Sequence, residues 1–241
     1  MAVSINTVYQ RVLAILNKEQ RGYITPVEFN LLANQAQMSI FEQYFYDINQ
    51  FARIPGNDTE YSDMLDNLNE KIEIFETSAQ VTHDDQTFSF GPKPYKLGSM
   101  FSITDPDEDG NNPPDIELEK LTPKEYRRIA LSPITKPSSD FPVVVINGNK
   151  FKVYGLGHIE VGHKVEYNYI KKPATVNWGY TTVLGEALYN QSTSVDFELH
   201  STEETKLVIK VLELAGLVIQ DVGTYQVADA EEKQKIQQEK S

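Results

Sequence analysis

Phe141-Pro142-Val143-Val144-Val145-Ile146-Asn147-Gly148-Asn149-Lys150-Phe151-Lys152-Val153-Tyr154 is the stretch on which the fold turns. Four β-branched residues run up to Asn147-Gly148, and Phe151, Val153 and Tyr154 follow it. An Asn-Gly pair between such runs reads as a hairpin with a type I′ turn. Further along, Val165, Tyr167 and Tyr169 alternate with Glu166 and Asn168, a half-buried strand closed by Pro173. On the other side, Thr87-Phe88-Ser89-Phe90 alternates as well. One short helix interrupts these strands. Thr122-Pro123-Lys124-Glu125 is a start signal, and Tyr126, Ile129 and Ala130 follow it.

Outward from this β region the period changes to that of a helix. Val8, Val12, Ile15 and Leu16 form a first stripe, ended at Arg21-Gly22-Tyr23. Thr25-Pro26-Val27-Glu28 then combines a cap, a proline for the first helical position and a glutamate that closes a capping box. Phe29, Leu32, Ala36, Ile40, Tyr44 and Ile48 share one face of the helix that follows. After the turn Pro55-Gly56-Asn57, a third stripe holds Tyr61, Met64, Leu65, Leu68, Ile72 and Phe75. Beyond the strands, Ser201-Thr202-Glu203-Glu204 reads as another capping box, with Leu207, Val211, Leu214 and Val218 as the buried stripe. Helices are therefore expected over 7–20, 26–50, 59–77 and 202–220.

Amphipathic stripes on both sides of the strands need a common partner surface. The expected class is α+β: N- and C-terminal helices, 1–79 and 200–221, in one bundle, with a mostly antiparallel β insertion over 80–199. Residues 222–241 form a polar tail, in which Val222, Tyr225 and Val227 are the candidate anchors for a partner.

Composition narrows the function. The 241 residues are 40% hydrophobic and 10% aromatic, enough for a core. Against 22 Lys and Arg stand 35 Asp and Glu, a net charge of −13. That argues against tight electrostatic binding to nucleic acid or an anionic membrane. The absence of cysteine excludes disulfides, thiolate metal sites and cysteine nucleophiles. The most apolar run, Leu207–Ile219, is broken by Lys210 and Glu213 and is too short to span a bilayer. No basic segment precedes the first apolar residues, so no signal peptide is expected, and the chain is taken to be made and kept in a cytoplasm, or packaged from one.

No motif supplies a catalytic constellation. Asp105, Asp107, Asp109 and Gly110 match the first half of a calcium-binding EF-hand loop, but position 12 is Ile116 where a bidentate Glu is needed. The loop reads as acidic and solvated. His158 and His163 lie five apart, on opposite faces of a regular strand, and His83 has no Ser or second His near it in sequence. Gly155-Leu156-Gly157 begins a dinucleotide fingerprint that fails at Glu160. The expectation is no enzyme, no catalytic residue, no cofactor and no metal.

The run Thr7-Val8-Tyr9-Gln10-Arg11-Val12-Leu13, then Asn17-Lys18-Glu19-Gln20-Arg21-Gly22-Tyr23-Ile24-Thr25-Pro26, resembles virion proteins of short-tailed bacteriophages, including crAss-like phages. Glu28-Phe29-Asn30, Asn34-Gln35-Ala36-Gln37, Tyr169-Ile170-Lys171-Lys172-Pro173 and Val195-Asp196-Phe197-Glu198-Leu199 extend the resemblance. It implies a head-to-tail connector, also called an adaptor or ring protein. Such a protein is a structural component of the virion, assembled in the bacterial cytoplasm. Its partners would be the portal protein, downstream tail or ring proteins and further copies of itself in a ring, usually twelve-fold. DNA would pass through the channel without specific binding, and an acidic lumen would keep phosphates from sticking. Two other readings stand beside it: a tail-associated carbohydrate-binding module using some of the 13 Tyr residues, and an internal capsid or scaffolding protein.

Overall fold

The computed structural model describes residues 2–18, 24–51, 59–83, 87–103, 115–157, 163–218 and 233–234. The chain is α+β and divides into two compact units. One joins residues 1–74 to 173–241, and the other is the excursion between them, 75–172. The expected boundaries fell at 79/80 and 199/200. Residues 173–199 differ because their backbone is bonded to the helices, and their strands Tyr180–Val183 and Glu186–Tyr189 pair with each other instead of joining the two larger sheets.

In the first unit, α1 (Ile5–Lys18), α2 (Pro26–Phe51), α3 (Thr59–Glu73) and α5 (Glu204–Val218) are the helices. α5 packs against α1 and α2, and α3 packs against α2. The start of α2 follows the sequence reading: Thr25 N donates to Glu28 Oε2 at 2.9 Å, and Glu28 N donates back to Thr25 Oγ1 at 3.3 Å. Phe29, Leu32, Ala36, Ile40 and Tyr44 are buried on α2, joined by Ala33, Phe41 and Phe45.

Three details depart from the periodic reading. Ile15 is exposed, and Ile5 and Tyr9 take buried places on α1 instead. On α5 the buried face is Leu207, Val208, Val211, Leu212 and Ala215, while Leu214 is half-buried. Ser201 does not open a capping box. Ser201–Glu203 is a 3-10 turn capped by His200, whose ring accepts from Thr202 N. Glu203 and Glu204 are engaged elsewhere, with Lys71 and Arg11.

The second unit is built from two four-stranded sheets. The first has the order β1-β8-β3-β4, with β1 Glu76–Thr82, β3 Lys96–Ile103, β4 Ile116–Glu117 and β8 Lys164–Ile170, all antiparallel. β1 begins where the sequence reading still expected helix, because pairing of Glu76–Thr82 with β8 wins over helical period. The second sheet has the order β2-β7-β6-β5, with β2 Phe88–Ser89, β5 Glu119–Leu121, β6 Val143–Asn147 and β7 Lys150–Tyr154. Here β5 and β6 run parallel. Side chains from both sheets share one core, including Phe88, Met100, Val144, Phe151, Val165 and Tyr167. Phe88 and Phe151 stack at 4.9 Å with rings 4° from parallel.

The hairpin expected at Asn147-Gly148 is present, shifted by one residue. Asn147 pairs with Lys150, so Gly148-Asn149 is the turn. Only Gly148 has positive φ, 67°, which is the signature of type II′ and not type I′. The short helix α4 (Pro123–Ala130) has the expected full capping box between Thr122 and Glu125.

Candidate functional site

In the helical unit, α2 is tied to the segment that returns after Pro173. Asn30, Asn34 and Gln37 stand on one face of α2, at spacings of four and three. Their amides read the backbone of the extended segment that follows Pro173. Asn34 Nδ2 donates to Val176 O at 2.9 Å, and its Oδ1 accepts from Val176 N at 2.9 Å. Trp178 N donates to Asn30 Oδ1 at 2.7 Å. Gln37 Nε2 donates to Ala174 O at 2.8 Å, and its Oε1 accepts from Glu198 N. Nearby, Asp196 Oδ1 caps α1 by accepting from Ile5 N at 2.8 Å, and Phe197 N donates to Val3 O. These amides and carboxylates act as a strand edge built from side chains. They fix the returning segment to α1 and α2.

Trp178 anchors what comes next. It is 3% exposed, lies 4.2 Å from the Tyr9 ring and donates its indole N–H to Asn6. Tyr180 and Tyr189 flank it at 5.8 Å each. From this base projects a two-stranded hairpin, β9 (Tyr180–Val183) with β10 (Glu186–Tyr189). The turn is Leu184-Gly185, with φ of 53° and 92°. Positive φ at both positions is a type I′ turn, which favours Asn, Asp or Gly. Leucine at the first position is sterically strained, and this one is 102% exposed. Val183 and Leu188 are exposed on the same face of the hairpin. The sequence reading missed this hairpin, since Leu-Gly is not a recognised hairpin signal.

The same unit carries an open groove of about 350 Å³ between α1 and α5. Ala14, Ile15, Val208, Ile209 and Leu212 line it, and Arg11 sits at its side with Glu204 at 2.8 Å.

The β unit gathers polar groups that the sequence did not connect. His163 Nε2 is 2.8 Å from Ser102 Oγ, and His83 N donates to His163 O. His163 thus stands between His83, which it meets through the backbone, and Ser102, which its ring meets. Ser102 is 1% exposed, so its hydroxyl is closed to a substrate. A second groove runs along β1, β8 and β3, lined by Glu76, Lys96, Gly98 and Tyr169. Partial desolvation lowers the pKa of the Lys96 ammonium, although the residue is exposed. Gly155 and Gly157 both have positive φ, and a Cβ on Gly155 would meet Ser138 O at 2.6 Å. A turn packed against backbone accounts for this pair of glycines.

Asp105, Asp107, Asp109 and His158 lie outside the described residues, as do the turns at 21–23 and 55–57 and the anchors Val222, Tyr225 and Val227. Among the described residues no three His, Asp or Glu side chains form a metal-binding group, and no helix is long and apolar enough to cross a membrane. No family model and no curated protein matches the sequence.

Proposed function

We propose that the chain is a head-to-tail connector of a short-tailed bacteriophage, a structural ring subunit seated between portal and tail around the DNA channel. The observation that carries this reading is where the family-like runs fall. Asn30, Asn34, Gln37, Asp196, Phe197 and Glu198 are the residues that join the first helices to the returning segment. These residues of the resembling runs bond one part of the helical unit to another, while Tyr169-Ile170-Lys171-Lys172 belongs to the β unit. A net charge of −13 suits a channel that DNA crosses without binding. In this role the protein has no catalytic duty and no cofactor. Its partners are the portal, the next tail component and its own copies, with residues 222–241 docking on a neighbour. The carbohydrate-binding reading loses support from Trp178, which is buried beneath Tyr9 and offers no stacking platform.

Electron microscopy of purified virions, with an antibody against this chain, tests the proposal. Label at the vertex joining head and tail is the expected result. Label spread through the capsid interior, or present only in immature particles, would replace it with the scaffolding reading. Deleting residues 222–241 is expected to leave the melting temperature of the free chain nearly unchanged while blocking its incorporation.

A further inference from the structure

The tip of the β9–β10 hairpin combines two costs. Leu184 occupies a left-handed conformation that a glycine or asparagine would hold with less strain. It also leaves its whole side chain in water, with Val183 and Leu188 exposed beside it. Strain and solvation both disfavour leucine here in the isolated chain. A strained residue at an exposed tip points to a role outside the chain's own stability.

A receptor of matching chemistry exists on the same unit. The α1–α5 groove offers Ala14, Ile15, Val208, Ile209 and Leu212, an aliphatic surface with room for two branched side chains. The exposure of Leu184 shows that the chain's own hairpin does not fill it. Charge agrees as well: Glu186 is exposed one residue beyond the turn, and Arg11 at the side of the groove, though paired with Glu204 at 2.8 Å, is still 53% exposed. We infer that the hairpin tip of one copy, Val183 and Leu184, inserts into the α1–α5 groove of the next copy, with Glu186 approaching Arg11.

Such a contact joins two different surfaces of one chain, so it is heterologous. Repeated, it closes into a ring or runs on as a filament, depending on the rotation per step. This deepens the connector reading by naming the contact between neighbours, and it rests on that reading for closure into a ring. Leu184 would be the anchor of a larger interface, since a few buried side chains carry most of the energy in such contacts.

The cysteine-free sequence makes the test direct. Two full-length single-cysteine chains, Leu184→Cys and Ile15→Cys, are mixed under mild oxidation, one carrying a mass tag. Leu184→Cys with Leu131→Cys serves as the control, because Leu131 is exposed in the other unit. The mixed disulfide of the first pair is expected to form at least tenfold faster than that of the control. Equal rates, or no mixed disulfide at high concentration, would overturn the contact. A second variant guards against misfolding. Leu184→Gly added to the Ile15→Cys partner should leave the rate unchanged, because that partner contributes only its groove. Val183→Cys with Leu184 intact should cross-link to Ile15→Cys with the same acceleration, and adding Leu184→Gly should remove it without lowering the monomer's melting temperature; retained acceleration would also overturn the contact. A rapid cross-link in a protein absent from the portal vertex would leave the contact standing and sink the connector reading. A ring at the vertex without the cross-link would do the reverse.

Discussion

Lys71 Nζ lies 2.7 Å from Glu203 Oε1, and the two residues join α3 to the turn that opens α5. Glu203 is 2% exposed and Lys71 19%, so the pair is largely out of water. The ammonium also sits 5.9 Å from the centre of the Tyr44 ring on α2. One cation thus serves three elements. Glu203 Oε2 has no hydrogen-bond partner among the described residues, so the carboxylate depends on Lys71.

Removing one partner of a buried pair costs more than the pair contributes, because a charge is left unpaired. Lys71→Met should therefore lower stability by about 3 kcal/mol in urea denaturation. The double change Lys71→Met with Glu203→Leu should recover most of that loss. A single-variant loss below about 1 kcal/mol would show that water reaches the carboxylate.

Asn34 makes a donor and an acceptor bond to one residue, Val176, as a strand neighbour would. Asn34→Ala leaves both backbone groups of Val176 without that partner, at an expected cost of about 2 kcal/mol. Asn34→Asp keeps the acceptor for Val176 N and should fall between. Amide exchange should accelerate at Val176 and Trp178 in the alanine variant while α5 stays protected. Uniform acceleration across the unit would mean that the contact is not local.

The strongest helix and strand patterns were legible in sequence because each rests on local chemistry. Thr25 with Glu28, and Thr122 with Glu125, form their caps as written. Val165, Tyr167 and Tyr169 are buried in alternation on β8. The registers that failed depend on distant partners. Glu203 looked like a cap residue, and its real partner is 132 positions away at Lys71. His83 looked isolated because His163, 80 positions on, reaches its backbone only where the strands pair. The Leu184 hairpin was invisible because its turn uses a residue that turn chemistry disfavours.

The two capping boxes predict an acid response. Hydrogen bonds from the Thr25 side chain and backbone hold the Glu28 carboxyl below its ordinary value of 4.5. For Glu125 the backbone bond from Thr122 leads, followed by the Thr122 hydroxyl. A carboxyl with a lowered folded-state pKa stabilises above its unfolded pKa, and that contribution is lost as pH falls through the folded value. Glu28→Gln and Glu125→Gln should therefore lower the melting temperature at neutral pH and match the parent chain at strongly acidic pH. An unchanged gap across that range would show that the ionised form has no advantage.

On α5 the three-four spacing admits two neighbouring stripes, and packing against α1 and α2 selects the one through Val208, Val211 and Ala215. Val211→Ala should cost about 2 kcal/mol, as for a buried aliphatic truncation. Leu214→Ala removes more carbon from a half-buried site and should cost about 1 kcal/mol or less. The reverse order would mean that Leu214 is the inner residue.

Gly155 and Gly157 separate two reasons for a glycine. Gly155 has a φ of 107°, and an added Cβ would lie 2.6 Å from Ser138 O and 3.2 Å from Pro142 Cα. Both neighbours are backbone, so neither moves aside cheaply. Gly157 has a φ of 72° but nothing among the described residues within 4 Å of a Cβ. Alanine at Gly157 thus meets conformational strain alone, about 1 kcal/mol. Alanine at Gly155 meets the same strain and a steric clash, and should cost about 3 kcal/mol or more. Ser138 exchanges backbone hydrogen bonds with Phe141, just before β6, so the damage should spread there. Equilibrium denaturation of the two variants, with amide exchange at Phe141, measures both effects. Equal losses at the two positions would show that the segment around Ser138 yields, and that the close approach does not account for Gly155.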